Sequence, residues 1–418
     1  MNYFIKNIHI NNLLHLQNFD IKIEDKNTPH LIITGKNGSG KTILLNAIAS
    51  FLERIKDDTR MNFLNYRIIL ENYTKRLDEE QKRGSSENTM LSLKNDFDYY
   101  KKQVDELYGK VELDFVDAPV FMIEKYQKGE FIIAFYQAAR KPEMIEPKNP
   151  TKPTYGIKGT VKQTATNQFL NFLSDLKVQE ALARNENEIK DADEINLWFV
   201  EFANLLKHIY QDDSLKLEFN YRDYSFRINT EGKSFKFTEL SDGFAAILDI
   251  VADLILKMQV PGNVTRAYKK AGIVLIDEVE THLHLELQKI VMPILTKIFP
   301  NIQFIITTHS PFVLNSLDNA VAFDLENREV INELTQYSYE ALAEGYFGVS
   351  SMSSYMQMQL DKLEDLLKKD VLSDLDVSEL KYLMSDLDRV PESVSPNLVG
   401  AFTDIKNRYA SIIKKLPL

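Results

Sequence analysis

The sequence predicts an α/β fold organised around a phosphate-binding loop, and three observations carry that expectation. Gly35-Lys36-Asn37-Gly38-Ser39-Gly40-Lys41-Thr42 matches G-x-x-x-x-G-K-[ST]. The apolar strand candidate His30–Thr34 runs into it and a helix opening at Ile43-Leu44-Leu45 runs out of it, the strand–loop–helix setting that the motif requires. A second apolar run, Gly272-Ile273-Val274-Leu275-Ile276, ends in Asp277-Glu278, as a buried parallel strand does when it delivers carboxylates at its C-terminal end.

Each part of the loop has a mechanical job. Gly35, Gly38 and Gly40 let successive N–H groups, including those of Asn37 and Ser39, curl around phosphates. Lys41 brings charge to the β and γ groups, and the Thr42 hydroxyl is a ligand for Mg²⁺. The chain is therefore expected to bind a nucleoside triphosphate, ATP, with Mg²⁺. Asp277 would hold the metal directly or through water, and Glu278 would polarise the attacking water, because phosphoryl transfer needs an oriented nucleophile more than covalent help. A third strand candidate, Ile302–Thr308, leads into His309-Ser310-Pro311 and points His309 at the γ-phosphate side.

The 418 residues suffice for two or three domains or for one large domain with insertions, and the second arrangement is expected. An apolar content of 44% with 27% charged residues is that of an ordinary globular protein. No run of about 18 apolar residues exists to span a membrane, and the first residues lack signal-peptide features, so a cytoplasmic location is expected. The absence of cysteine removes disulfides, thiolate nucleophiles and Cys-type zinc sites. A net charge of −11 gives no bulk attraction for nucleic acid, though a local basic patch remains open.

Between the loop and the acidic strand, Phe63, Tyr66, Leu70, Tyr73 and Leu77 form one helical stripe and Leu93, Phe97, Tyr100, Val104 and Leu107 another, with Gly84-Ser85-Ser86 between. An antiparallel helical hairpin follows, each arm of about 17 residues reaching ~25 Å. It either packs on its own head or docks a partner, and Lys75, Arg76, Lys82 and Arg83 near its tip permit nucleic acid contact. Phe131–Gln137 reads as a strand, residues 141–163 as a Pro- and Lys-rich mobile connection, and residues 167–211 as helices. Alternation in Leu215–Phe219 and Tyr224–Ile228 predicts strands, with a turn at Thr230–Lys233. Glu239-Leu240-Ser241-Asp242-Gly243 heads the apolar helix Ala245–Met258; locally it is an N-cap, with Ser241 or Asp242 as cap, where a helix N-terminus meets anions. Past residue 335 the pattern is helical and acidic.

Together, the phosphate loop, Leu240-Ser241-Asp242-Gly243, Leu275-Ile276-Asp277-Glu278 and Thr308-His309-Ser310 resemble the nucleotide head of ABC-type ATPases. With Ile8-His9-Ile10-Asn11-Asn12 and Asp277-Glu278-Val279-Glu280-Thr281-His282-Leu283-His284 added, the chain resembles more narrowly the SMC-like and OLD-like ATPases of bacterial anti-phage systems such as Septu, PARIS and retron-linked systems. The resemblance covers roughly residues 1–50 and 110–335. It implies that two heads embrace two nucleotides, that Ser241 and Gly243 touch ATP bound to the other subunit, and that Gln137, at a strand end, senses the metal and water. It departs at Leu13-Leu14, so no γ-phosphate arginine is carried over from there, and at Leu285, where relatives often have proline. His282 and His284 stay in the subunit-contact loop.

The expected organisation is a discontinuous ABC-type head at 1–52 and 110–335 with a helical lobe near 164–212, an inserted hairpin at 53–109 and a helical C-terminal extension at 336–418. The function it implies is that of an ATPase subunit of an anti-phage defence system, assembling as a homo-oligomer and regulating a separately encoded effector, a nuclease, under a DNA or phage-protein trigger. Two alternatives stand beside it: an SMC-like DNA repair or recombination ATPase, and a self-contained OLD-like nuclease. The nuclease requires a metal site from Glu344-Gly345 with Asp374-x-Asp376 or Asp386-x-Asp388, and no β-rich segment precedes either acidic pair.

Overall fold

A computed structural model describes residues 4–23, 30–140, 144–149, 160–259, 270–331, 339–347, 352–369, 371–391 and 395–414. The chain opens with two antiparallel strands, β1 (Ile5–Leu13) and β2 (Leu16–Lys22), joined by a tight turn in which Leu14 takes φ 58°. The first fully buried strand, β3 (His30–Thr34), leads through the phosphate loop into α1 (Lys41–Ile55). Next come α2 (Asn62–Arg83) and α3 (Glu87–Tyr108), then β4 (Val111–Phe115), α4 (Pro119–Gln127) and β5 (Phe131–Tyr136). Helices α5 (Phe169–Asn185) and α6 (Ile189–Tyr210) precede a small antiparallel sheet of β6 (Lys216–Asn220), β7 (Ser225–Thr230) and β8 (Lys233–Lys236). The remainder of this unit is α7 (Asp242–Lys257), β9 (Ala271–Ile276), α8 (Leu285–Ile298), β10 (Ile302–Thr307), α9 (Pro311–Leu314), β11 (Ala320–Asp324) and β12 (Glu329–Ile331).

The largest sheet gathers the fully buried strands. In the six-stranded sheet the order is β12-β11-β3-β10-β9-β5, parallel throughout except for the β12 edge. Strands β3, β5 and β10 are buried along their whole length, as helices on both faces of a parallel sheet demand. Because β3, β10 and β9 are neighbours and parallel, the loops that follow them emerge side by side at one edge. A second sheet, β2-β1-β4, is tied to this one by Gln303 of β10: its amide accepts from Ile5 N and donates to Ile5 O, both at 2.8 Å, although Gln303 is fully buried. A polar side chain survives there because it satisfies the backbone of a strand edge.

The hairpin arms α2 and α3 are 22 residues each, so they extend ~33 Å, longer than the stripe of apolar residues suggests. Gly84, at φ 70°, ends the first arm, and Ser86 caps the second by accepting from Thr89 N. Stacked Tyr73 and Tyr100 hold the arms together, and Arg67 pairs with Glu112 of β4 at the base. The strands β6 and β7 form where alternation places them, and the expected turn at Thr230–Lys233 is the bend of a hairpin whose third strand, β8, the pattern does not mark. Most of the expected connection at 141–163 lies outside the described residues.

Residues 338–418 form a separate compact unit. It comprises α10 (Tyr339–Phe347), α11 (Ser354–Leu367), α12 (Asp374–Asp388), α13 (Pro396–Arg408) and α14 (Ala410–Ile413), with a leucine-rich core of Leu360, Leu363, Leu367, Leu380, Leu383 and Leu398. Both acidic pairs lie on α12, one in its first turn and one in its last, and Asp376 is used as part of a capping box with Ser373. Among the described residues no group of His, Cys, Asp and Glu is arranged to hold a metal ion. No described helix is long and apolar enough to cross a membrane.

His30, at the start of β3, is 4% exposed and its Nδ1 accepts from Phe304 N at 3.1 Å, so burial lowers its pKa to about 4. The unfolded chain takes up this proton near pH 6.5 and the folded chain does not. Stability fully present above pH 6.5 is therefore lost as pH falls toward 4, by about 3 kcal/mol over the whole span. His30→Asn keeps an acceptor for Phe304 N without the titration. Urea unfolding between pH 7 and 4 should show a shallower acid loss in His30→Asn than in the natural protein; parallel curves would mean His30 is not buried neutral.

Candidate nucleotide site

Strand β3 hands the chain to the phosphate loop at Gly35, whose φ of 135° suits glycine and where a Cβ would lie 2.9 Å from Ser39 Oγ and 3.2 Å from Glu326 N. At Gly40, φ 100°, a Cβ would meet Leu16 Cδ1 at 2.9 Å, because the β1–β2 turn closes on the loop. His15 of that turn hydrogen-bonds Ser39 O through Nε2 at 3.0 Å. Lys36, Asn37 and Gly38 are exposed at the tip. Lys41 is 5% exposed, and its Nζ donates to Gly35 O at 2.8 Å and Lys36 O at 3.0 Å. The ammonium thus sits inside the curl of its own loop. Burial lowers its pKa, while the charges of Glu278, Glu280, Asp277 and Asp324 act to raise it.

The carboxylates come from the end of β9. Asp277, 3% exposed, accepts from Thr42 Oγ1 at 3.1 Å and from Thr307 Oγ1 at 2.7 Å, both on Oδ1. Thr307 Oγ1 in turn accepts from Glu278 N at 2.8 Å. Glu278 has φ 45°, a conformation that costs a non-glycine residue of order 1–3 kcal/mol and persists only where neighbours enforce it. One side chain of β10 therefore fixes both acids. Glu280, two residues on, accepts from His309 N at 2.5 Å through Oε1, and burial raises its pKa. His309 is half-buried just past the end of β10; burial and then the Lys41 charge lower its pKa, while Glu278 and Asp277 act to raise it.

Lys41, Thr42, Asp277, Glu278 and His309 are thus gathered at one edge of the sheet. Gln137 is exposed at the end of β5, one strand from Asp277, whose N–H donates to Tyr136 O at 2.8 Å. Ser241 is exposed and is the N-cap residue of α7, with no cap bond from its side chain. Gly243 is buried, and a Cβ there would lie 3.0 Å from Leu287 Cδ1 and 3.2 Å from His282 O. His282, at φ 69°, and His284, the N-cap of α8, both lie in the loop leading from Glu278 to α8.

The donors present fit a magnesium nucleotide. The hydroxyl of Ser39 is buried in the loop with no partner among the described residues, the ammonium of Lys41 is aimed at the loop interior, and a hydroxyl and a carboxylate already meet at Thr42 and Asp277. The sequence alone does not single out Thr307, Glu280 or His15. Thr307 reads there as part of an apolar strand, and Glu280 as one letter of a motif, since their partners are about thirty residues away.

A family model described as "AAA domain, putative AbiEii toxin, Type IV TA system" matches residues 152–315. The chain is similar to the Septu protein PtuA of Bacillus mycoides (strain KBAB4), 26% identical over 412 residues, covering 92% of this chain and 50% of that protein. It is also similar to the Retron Vc95 probable ATPase of Vibrio cholerae serotype O1 biovar El Tor, 23% identical over 405 residues, 81% of this chain and 75% of the relative. The Retron Ec83 probable ATPase of Escherichia coli is 38% identical over 101 residues, 24% of this chain and 19% of that one. The chain thus spans half the length of the Septu protein and a fifth of the Ec83 protein. Its homologues are the Septu and retron ATPases that the motifs resemble, and its fold is that of a P-loop ATPase with helical parts.

Thr307→Val keeps shape but removes the donor to Asp277 and the acceptor for Glu278 N, two buried bonds. Urea denaturation should register a loss of about 1–3 kcal/mol, with Thr307→Ser close to the natural protein. Equal midpoints for all three would show that the hydroxyl does not hold the acidic pair.

Proposed function

We propose that the chain is an ATP-hydrolysing subunit of an anti-phage defence system, working in the cytoplasm with Mg²⁺ and regulating a separately encoded effector nuclease. The observation that carries this reading is the convergence of Lys41, Thr42, Asp277, Glu278 and His309 on the C-terminal edge of one parallel sheet. The likeness to Septu and retron ATPases supports the biological setting. In this reading the head comprises 1–52 and 110–335, the hairpin 53–109 is an insertion, and 336–418 is an extension.

The amides of Gly38, Ser39 and Gly40, with Asn37 at the loop tip, would cradle the phosphates, and Lys41 would leave its two backbone carbonyls for the β and γ groups. Thr42 and Asp277, with Gln137 at the neighbouring strand end, would hold Mg²⁺. The metal, when bound, neutralises charge building on the phosphate oxygens. Glu278 orients and deprotonates water, and His309 hydrogen-bonds on the γ side. Ser241 and Gly243 would complete the site of a second copy. Gly243 serves there through its own backbone, since the face that a side chain would occupy is closed by His282. The two alternatives are less well supported: the acidic pairs of α12 do not converge, and the hairpin tip mixes Arg83 with Glu80 in an ion pair.

Lys41→Ala should abolish ATP turnover. Glu278→Gln should slow it by roughly 100-fold or more while leaving ATP bound, so that size-exclusion chromatography with light scattering finds a larger assembly with ATP than without. Turnover at the natural rate in Lys41→Ala would refute the site, and a mass unchanged by ATP in Glu278→Gln would refute the paired heads.

A further inference from the structure

Beside the phosphate loop's edge of the sheet, and lined by none of its residues, lies a cavity of about 1030 Å³. Its walls are largely apolar, from Met144, Ile145, Phe237, Leu240 and Ala245. At its floor is Arg140, only 8% exposed. The Nε and Nη1 groups of Arg140 are buried with no hydrogen-bond partner among the described residues, and the bond from Nη2 to Glu278 O is 3.5 Å long. A guanidinium so placed has lost water and gained almost nothing in return.

The surrounding acids do not resolve this. Asp277, Glu280 and Asp249 act on Arg140 through space, but Asp277 is held by Thr42 and Thr307 and Glu280 by His309 N. Their fields stabilise the charge without satisfying its donors. The acid that does line the cavity, Asp242, is exposed at the rim beside the exposed His282, where water screens it. The arrangement has the anatomy of a small-molecule site: a concave apolar body of roughly 300–1,000 Å³ and a well-placed charged group. A planar, permanently charged fork selects carboxylate or phosphate oxygens.

We propose that this cavity binds an organic anion, an apolar body bearing one carboxylate or phosphate monoester head, with the head on Arg140 Nε and Nη1. No residue of the phosphate loop lines the cavity, so binding there does not need Lys41, although Leu240, Asp242 and Ala245 flank the Ser241 and Gly243 that the proposed function gives to a second copy's ATP. Its position between the start of α7 and the loop after β9 means that an occupant touches both.

The test is isothermal titration of the full chain with 3-phenylpropanoate and with phenyl phosphate, which separate the two head groups, and with neutral 3-phenylpropanamide as control. Saturable binding is expected for at least one anion. It should weaken about tenfold or more for the amide and in Arg140→Met, as loss of a charge-assisted bond requires, and change less than about twofold in Lys41→Ala. Thermal melting adds a second readout: the anion that binds should raise the melting point of the natural protein and leave that of Arg140→Met unchanged. Binding by neither anion, equal affinity in Arg140→Met, or loss in Lys41→Ala would overturn the proposal, the last by assigning the probe to the phosphate loop. An equal rise in Arg140→Met would also overturn it, by placing the anion away from the guanidinium.

Discussion

Asp277 is the point on which the site depends. One buried carboxylate oxygen receives the hydroxyls of Thr42, from the first turn of α1, and Thr307, from the last residue of β10. Three stretches of chain, separated by more than two hundred residues at the extreme, are thereby locked in register at the mouth of the sheet. The lock is possible only because β3, β10 and β9 are consecutive in space and parallel, so their C-terminal ends open together. Burial makes the contact strict, since a carboxylate removed from water must find donors or lose its charge. Thr307 extends the constraint to Glu278 N and so holds that residue in its left-handed conformation.

A second constraint joins the start of α7 to the loop after β9. With no Cβ at Gly243, the first turn of α7 approaches His282 O closely, and any side chain would force the two apart. Ser241, exposed at the head of that helix, stands two residues from this contact.

Much of this is legible in the sequence. The strands of the central sheet are continuous apolar runs because both faces are covered, as His30–Thr34 and Ile302–Thr307 display. The phosphate loop and the acidic pair carry their chemistry in their letters. Part of what stays hidden depends on partners distant in sequence. Thr307 looks like one more strand residue until Asp277 is seen beside it. Arg140, just before the expected connection, carries no mark in the sequence of the burial that the fold gives it. Strand β8 is four residues with two lysines, held by pairing with β7 and not by its own pattern. The hairpin arms outrun their apolar stripes because their outer turns are polar helix formers such as Glu79, Glu80 and Lys82, for which composition leaves no stripe to follow.

The proposal that Thr42 and Asp277 hold a metal together with the phosphates of a bound nucleotide is open to a direct spectroscopic test. Mn²⁺ in place of Mg²⁺, with a non-hydrolysable ATP analogue, should bind stoichiometrically and show phosphorus-31 couplings from the β and γ groups in pulsed electron–nuclear double resonance, and Asp277→Asn should weaken or abolish them. Manganese that binds equally well without nucleotide, or carries no phosphorus coupling in the natural protein, would contradict the account.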